Sequence, residues 1–310
     1  MKRMLLVAVA ALLLGCSAAN ASRVPAAPHC TVFPATNAWN QRVDTLPVAA
    51  NSAQLLGSIG LSTGLHPDFG SGLYDGQPIG IPFDVVSKQT RRSRVAFDYA
   101  DESDKGPYPI PETVHIEGGR ASTGDRHALL VDKDACKLYE LFALYPKPSG
   151  GWKAGSGAIW SLASNAVRPA GWTSADAAGL PIFPGLARYD EVARGTIDHA
   201  LRFTVARTRR AYVYPARHYA SSSDDPALPR MGERMRLKAG IDISGYPRQA
   251  RIVLQALKTY GMILADNGSN WYISGAPDAR WSNDALHALG GIKGSDFEVV
   301  DTSSLPHPSR

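Results

Sequence analysis

Apolar and polar positions along this chain alternate more often with the period of a strand than with that of a helix. In residues 94–99, Val95, Phe97 and Tyr99 alternate with polar neighbours, the pattern of a half-buried strand, and 114–117 is a shorter run of the same kind. Residues 127–132 and 137–145 flank a polar turn at Lys133, Asp134 and Ala135 and predict a hairpin. The second of these runs is apolar on both faces, which predicts a central strand of a sandwich. In 199–205, His199, Leu201, Phe203 and Val205 share one face and Arg202 takes the other. A strand over 212–219 follows, with Pro215 marking an edge or a bulge. The clearest pattern is 234–243, with Met235, Leu237, Ala239, Ile241 and Ile243 inward and Arg234, Arg236 and Lys238 opposite. Gly155, Ser156 and Gly157 read as a turn.

Helical spacing is rarer. Residues 51–59 form a short candidate capped by Asn51 or Ser52, and 283–289 a second. Residues 247–260 predict the one longer helix, opened by Pro247 and closed by Gly261. Segments 262–265 and 270–273 enclose Asp266, Asn267, Gly268 and Ser269, a hairpin turn signal. Residues 61–82 are broken by glycine and proline. The expected fold is mainly β: a β-sandwich or jelly-roll-like single domain over 51–310, with a few short helices and one longer helix packed on a sheet. Residues 22–50 read as an extended N-terminal arm anchored by Cys30, Phe33 and Trp39.

The first 21 residues change the picture. Lys2 and Arg3 precede an apolar run from Met4 to Leu14 that is too short to span a bilayer, the layout of a secretory signal peptide. Leu13, Leu14, Gly15 and Cys16 fit a lipobox, in which Cys16 becomes the lipidated first residue. Ala19, Asn20 and Ala21 fit an ordinary cleavage site between small residues. Both readings predict an exported chain, either a lipoprotein of the periplasm or cell surface or a freely secreted protein, with a lipid anchor as the one possible membrane contact. Export puts Cys30 and Cys136 in an oxidising compartment, where pairing is expected. A bridge across so long a loop stabilises by ~4–5 kcal/mol in the chain-entropy model. The formal net charge of +5 then points to an acidic glycan or an anionic envelope rather than nucleic acid.

Candidate chemistry gathers in 155–219. Glu140, on the neighbouring strand, shares a face with Leu138, Phe142 and Leu144, so it must meet an Arg or His or titrate near neutrality. Asp176 follows Ser174 and can cap a turn or do chemistry; Asp190 and Glu191 open another turn that Gly195 closes. No P-loop, dinucleotide fingerprint, H-E-x-x-H or G-x-S-x-G run is present, and no cofactor is expected. A metal held by Glu140, His199 and His218 is not expected either, because nothing fixes their spacing.

The expected function is an exported carbohydrate-active enzyme acting on a polysaccharide or glycoconjugate, with Glu140, Asp176, His199 and His218 as catalytic candidates. Glycoside hydrolysis would use Glu140 and Asp176 as its two carboxylates, with Trp160 and Trp172 as stacking plates and Arg168 beside them. Uronate elimination would use His199 or His218 with Tyr219, and Arg202 or Arg217 to neutralise the uronate. The alternative is a non-catalytic glycan- or envelope-binding lipoprotein. The runs GWTSADAAGLPIFPGLARYDEVARGTIDHALRF and YGMILADNGSNWYISGAPDARW resemble a family of uncharacterised secreted bacterial proteins. That resemblance covers most of the mature chain and implies export and one folded unit, with no catalytic residue carried over.

Overall fold

The computed structural model describes residues 22–306; the signal-like segment and Cys16 lie outside the described residues. Two larger mixed sheets, of four and six strands, together with a three-stranded sheet and two two-stranded ribbons, form a mainly β domain with a few short helices. In the four-stranded sheet the order is Ser156–Ser161, Lys137–Phe142, Ala128–Asp132, Phe83–Val86. The expected hairpin is its centre, with Asp132 opposite Lys137. Its turn is fixed by Asp132 Oδ1, which accepts the N–H groups of Asp134 and Ala135 at 3.1 and 3.0 Å. Side chains alternate as a pleat requires. Leu129, Val131, Leu138 and Ala158 enter the main core, and Ala128, Leu130, Tyr139 and Leu141 enter a second, smaller one. Gly155, Ser156 and Gly157 do not form a turn: Ser156 opens the edge strand. Gly157 fits there because a Cβ would lie 2.5 Å from the Tyr108 hydroxyl and 2.7 Å from the Phe97 ring.

The six-stranded sheet runs Phe297–Val299, Arg234–Leu237, Met262–Asn267, Leu201–Val205, Tyr272–Ser274, His66–Asp68. Here the expected hairpin around Asp266 to Ser269 is overturned. Leu201–Val205 inserts between its two arms, parallel to Met262–Asn267 and antiparallel to Tyr272–Ser274. The inserted strand is buried along its whole length, and Thr204 Oγ1 donates to the Ser269 carbonyl at 2.8 Å to close the gap. The strand expected over 212–219 is also absent. Pro215 has no N–H for a ladder, and only Tyr212 bridges Met231. Residues 114–117 form no strand either; the His115 N–H is taken by Asp84 Oδ2 at 2.9 Å.

The Arg248–Thr259 helix follows Pro247 and buries Ala250, Val253, Leu254, Ala256 and Leu257 against the sheet. The strand expected over 234–243 stops at Leu237, and its arginines do not face solvent. Arg234 is buried, donating to the carbonyls of Ala38 (2.7 Å), Gln41 (2.9 Å) and Tyr260 (2.8 Å). Arg236 pairs with Glu298 at 2.7 Å and also donates to the Val43 carbonyl. The arginine row is therefore a clamp on the N-terminal arm, whose Phe33 and Trp39 are buried as expected.

Cys30 and Cys136 form a disulfide with a Cα–Cα distance of 5.2 Å, spanning 106 residues of sequence. It fastens the arm to the end of the hairpin turn. Among the described residues no helix is long and apolar enough to cross a membrane. Reduction, or the pair Cys30→Ser and Cys136→Ser, is expected to cost up to ~4–5 kcal/mol of stability. Thermal melts with and without reductant measure this, and an unchanged Tm would refute it.

Candidate active site

The cleft forms where a turn of the central stretch docks on the six-stranded sheet. Ser174 Oγ accepts the Asp176 N–H at 2.9 Å, Gly179 N–H returns to the Asp176 carbonyl at 3.0 Å, and Ala178 N–H bonds the Ala265 carbonyl at 2.9 Å. Gly179 (φ +69°) is required at the end of this turn, since a Cβ would lie 2.5 Å from the Trp172 carbonyl. Ala265 is the extra residue of a bulge opposite Phe203 and Thr204. The bulge offers its carbonyl to the turn and places Asp266 next to Asp176.

Arg202 binds these two acids together. Its Nε and Nη2 grip Asp176 Oδ2 and Oδ1, both at 2.8 Å, while Nη2 also reaches Asp266 Oδ2 at 3.1 Å and Nη1 reaches Ser274 Oγ at 2.8 Å. Asp176 has no exposed side-chain surface, whereas Asp266 keeps about a fifth of its own. Burial, and then the Asp176 carboxylate in hydrogen-bonding reach, push the Asp266 carboxyl up to about 7. Asp266 is therefore the member of the pair that can meet a ligand while carrying a proton.

A cavity of about 380 Å³ opens over this pair. Its walls include Asp266, Asp176, Glu102, Asp125, Tyr99 and His218. His218 Nδ1 donates to the Ala177 carbonyl at 2.8 Å, which leaves Nε2 as the basic nitrogen of a neutral ring. Tyr219 is stacked on His218, with centroids 5.7 Å apart, and is exposed beside the cleft. Apart from His218, the ionisable side chains that line this cavity are carboxylates and the Tyr99 phenol. Tyr99 and Glu102, from a run with acids at 98, 101, 102 and 104, form one rim; that density of acids was the sequence signal for this wall.

Below the cleft, His127 presents Nδ1 to Glu117 Oε2 (2.5 Å) and Nε2 to the Ala175 carbonyl (2.9 Å). Both partners only accept, so the ring is satisfied as an imidazolium. Burial opposes that charge, but Glu117 outweighs it and raises His127 to about 9. Glu140 is fully buried and accepts the N–H groups of Ile182 (2.9 Å) and Phe183 (2.8 Å), capping the Phe183–Gly185 turn. Burial pushes it up to about 8. Glu140 thus titrates near neutrality, but it lies outside the cavity wall.

The other candidates divide. Asp176 and His218 line the cleft, and Arg202 lies beneath it. His199 lies elsewhere, fully buried between the Ala200 carbonyl (2.8 Å) and Glu191 Oε2 (3.1 Å). Trp160 and Trp172 do converge, but around Arg168, whose guanidinium is 5.8 and 5.5 Å from their rings. Arg168 also bonds the carbonyls of Glu102 and Thr173 and the Asp104 carboxylate, each at 2.6 Å, so it ties the rim to the turn. Arg217 Nε donates to the Arg168 carbonyl at 2.9 Å. Among the described residues no group of three His, Cys, Asp or Glu side chains is placed to hold a metal ion.

Asp266, Glu140 and His127 all bind a proton more tightly folded than unfolded. Their contribution to stability is complete below the unfolded values, 3.8, 4.5 and 6.5, and is lost as pH rises through about 7, 8 and 9. Buried Glu191, lowered to about 2 because Arg188 and His199 overcome its burial, acts in the opposite direction below 4.5. Tm is therefore expected to peak in mild acid and fall steadily toward pH 9; a Tm that rises from pH 5 to 9 would refute this. Comparisons with protein-family models, with curated proteins and with solved structures find no match, so the functional reading rests on the cleft itself.

Proposed function

We propose that this protein is an exported carbohydrate-active enzyme that hydrolyses glycosidic bonds in a neutral or amine-bearing glycan. The observation that carries the reading is an acid, Asp266, that keeps its proton to about pH 7 in a cleft otherwise walled by carboxylates. Glycoside hydrolysis passes through an oxocarbenium-like transition state, which is positively charged. Glu102 and Asp125 stabilise that charge, since fixed charges of opposite sign act where charge develops. Uronate elimination needs the reverse, cations that stabilise a developing anion. Arg202, beneath the cleft, is committed to Asp176, Asp266 and Ser274, and His127 to Glu117 and the Ala175 carbonyl.

In this reading Asp266 donates its proton to the glycosidic oxygen. His218 Nε2 takes a proton from the attacking water, and the Ala177 carbonyl holds the ring in the right tautomer. Asp176 positions Asp266 through Arg202 and is too buried to touch substrate itself. Export is supported by the leader-like first residues and by the disulfide.

Asp266→Asn is expected to lower kcat by roughly 10²–10⁴-fold with little change in Tm, because Arg202 keeps Asp176. His218→Gln is expected to do the same. Glu140→Gln, which lies outside the cleft, is expected to spare kcat. Activity should decline as pH rises through about 7, when Asp266 loses its proton. The assay is reducing-end release from a panel of neutral, amine-bearing and uronate polysaccharides. An unsaturated, ultraviolet-absorbing product would replace this reading with elimination, and binding without turnover would replace it with the glycan-binding module.

A further inference from the structure

Trp160 and Trp172 are taken up by Arg168, so the aromatic surface that this protein offers a ligand lies elsewhere. Among the described residues the large apolar side chains left exposed include three aromatic rings, Tyr74, Tyr99 and Tyr219. Two of the three stand at the acidic cleft. Tyr99 lines the cavity and is 55% exposed, and Tyr219, 38% exposed, falls between the lining residues His218 and Ala220. The two are held from different sides. The Tyr99 N–H donates to the Gly155 carbonyl at 2.9 Å, next to the start of the Ser156–Ser161 strand of the four-stranded sheet, and its carbonyl accepts the Ser103 hydroxyl at 2.6 Å. The segment of Tyr219 hangs on the turn that docks on the six-stranded sheet, where the N–H groups of Arg217 and His218 donate to the Ala178 carbonyl at 2.8 and 3.1 Å.

Tyr219 is also oriented. Its ring lies 6° from the plane of His218 and 22° from that of Tyr212, whose centroid is 6.4 Å away. Tyr212 is half-buried against the main core, so the stack is anchored at its far end. A side chain already fixed in this way loses little freedom when a ligand covers it. The cavity itself, about 380 Å³, is at the small end of ligand sites, which run from about 300 to 1,000 Å³, so a polymer laid in it must leave over the rims. We propose that Tyr99 and Tyr219 are sugar-binding plates on the two rims, so that the cleft takes an internal stretch of a glycan chain rather than its end. The C–H face of a sugar ring covers a tyrosine while its hydroxyls turn to the carboxylates. The proposal rests on the glycan reading of this cleft and adds a mode to it, cutting within the chain.

Binding is measured by titration calorimetry on the Asp266→Asn protein, with β-1,4-linked glucosamine and glucose oligomers from dimer to hexamer. Affinity for at least one series is expected to rise with length. Tyr99→Ala and Tyr219→Ala should each weaken hexamer binding roughly tenfold, an effect that fades as the oligomer shortens. Tyr219→Phe should keep the affinity, since stacking needs the ring and not the hydroxyl. Neither ring belongs to a core cluster, so the alanine variants are expected to keep the fold, which thermal melts check. Affinity independent of length, insensitivity to both alanine variants, or no binding of either series overturns the plates, whatever the wild-type chain does to glycosidic bonds. Length-dependent binding without turnover by the wild-type chain sinks the hydrolase instead and leaves the plates standing. With a polymer substrate, internal fragments are expected, and release of single terminal sugars alone overturns cutting within the chain.

Discussion

The buried pair of Arg202 and Asp176 is the interaction on which the cleft depends. Arg202 belongs to one of the two central strands of the six-stranded sheet and Asp176 to a turn with no ladder of its own, so their two parallel bonds, with the Ala178–Ala265 backbone bond, attach the turn to the sheet. Losing one partner of a buried pair costs about 3–5 kcal/mol because the other charge is left in a medium that cannot solvate it. The same guanidinium reaches Asp266 and Ser274. One side chain therefore sets the position of the turn, the separation of the two carboxylates and the degree to which Asp266 holds its proton.

Beneath the cleft the charges are arranged in opposed pairs, His127 with Glu117 and Arg202 with Asp176. Asp266 and Glu140 add two further carboxyls that burial pushes toward the neutral form. A buried group that is neutral at working pH avoids most of the desolvation cost of a charge. This explains how so many carboxyls share one small volume. It also separates the +5 net charge, a property of the whole chain, from the acidic cleft, so the glycan charge inferred from composition and that inferred from the cleft have opposite signs.

What the sequence disclosed was largely local. The hairpin around Lys133 to Ala135, the Arg248–Thr259 helix and the inward phase of Glu140 follow from period and turn chemistry, and the Cys30–Cys136 bridge follows from there being two cysteines beyond the leader-like segment of a chain read as exported. What stayed hidden was non-local. Asp266 reads as a turn residue because its strand partner, Leu201–Val205, lies some sixty residues away, as the pairing of Thr204 with Asp266 shows. Arg234 and Arg236 read only as the face opposite the apolar one because alternation reports a pleat, not what covers it. That Trp160 and Trp172 converge on Arg168 was likewise invisible, because nothing in the local pattern links three separate loop positions.

The inserted strand bears on how the protein reaches its folded state. Met262–Asn267 and Tyr272–Ser274 are near neighbours in sequence, yet they cannot simply zip together, because Leu201–Val205 must lie between them. Sheets built from such distant pairings form slowly, since loop closure precedes the contacts that reward it. Asp266 meets Arg202 only once that insertion is complete, so the proton-holding carboxyl exists in no half-assembled chain. The acidic cleft is thus a product of the completed sheet, and no local segment of the chain can form it alone.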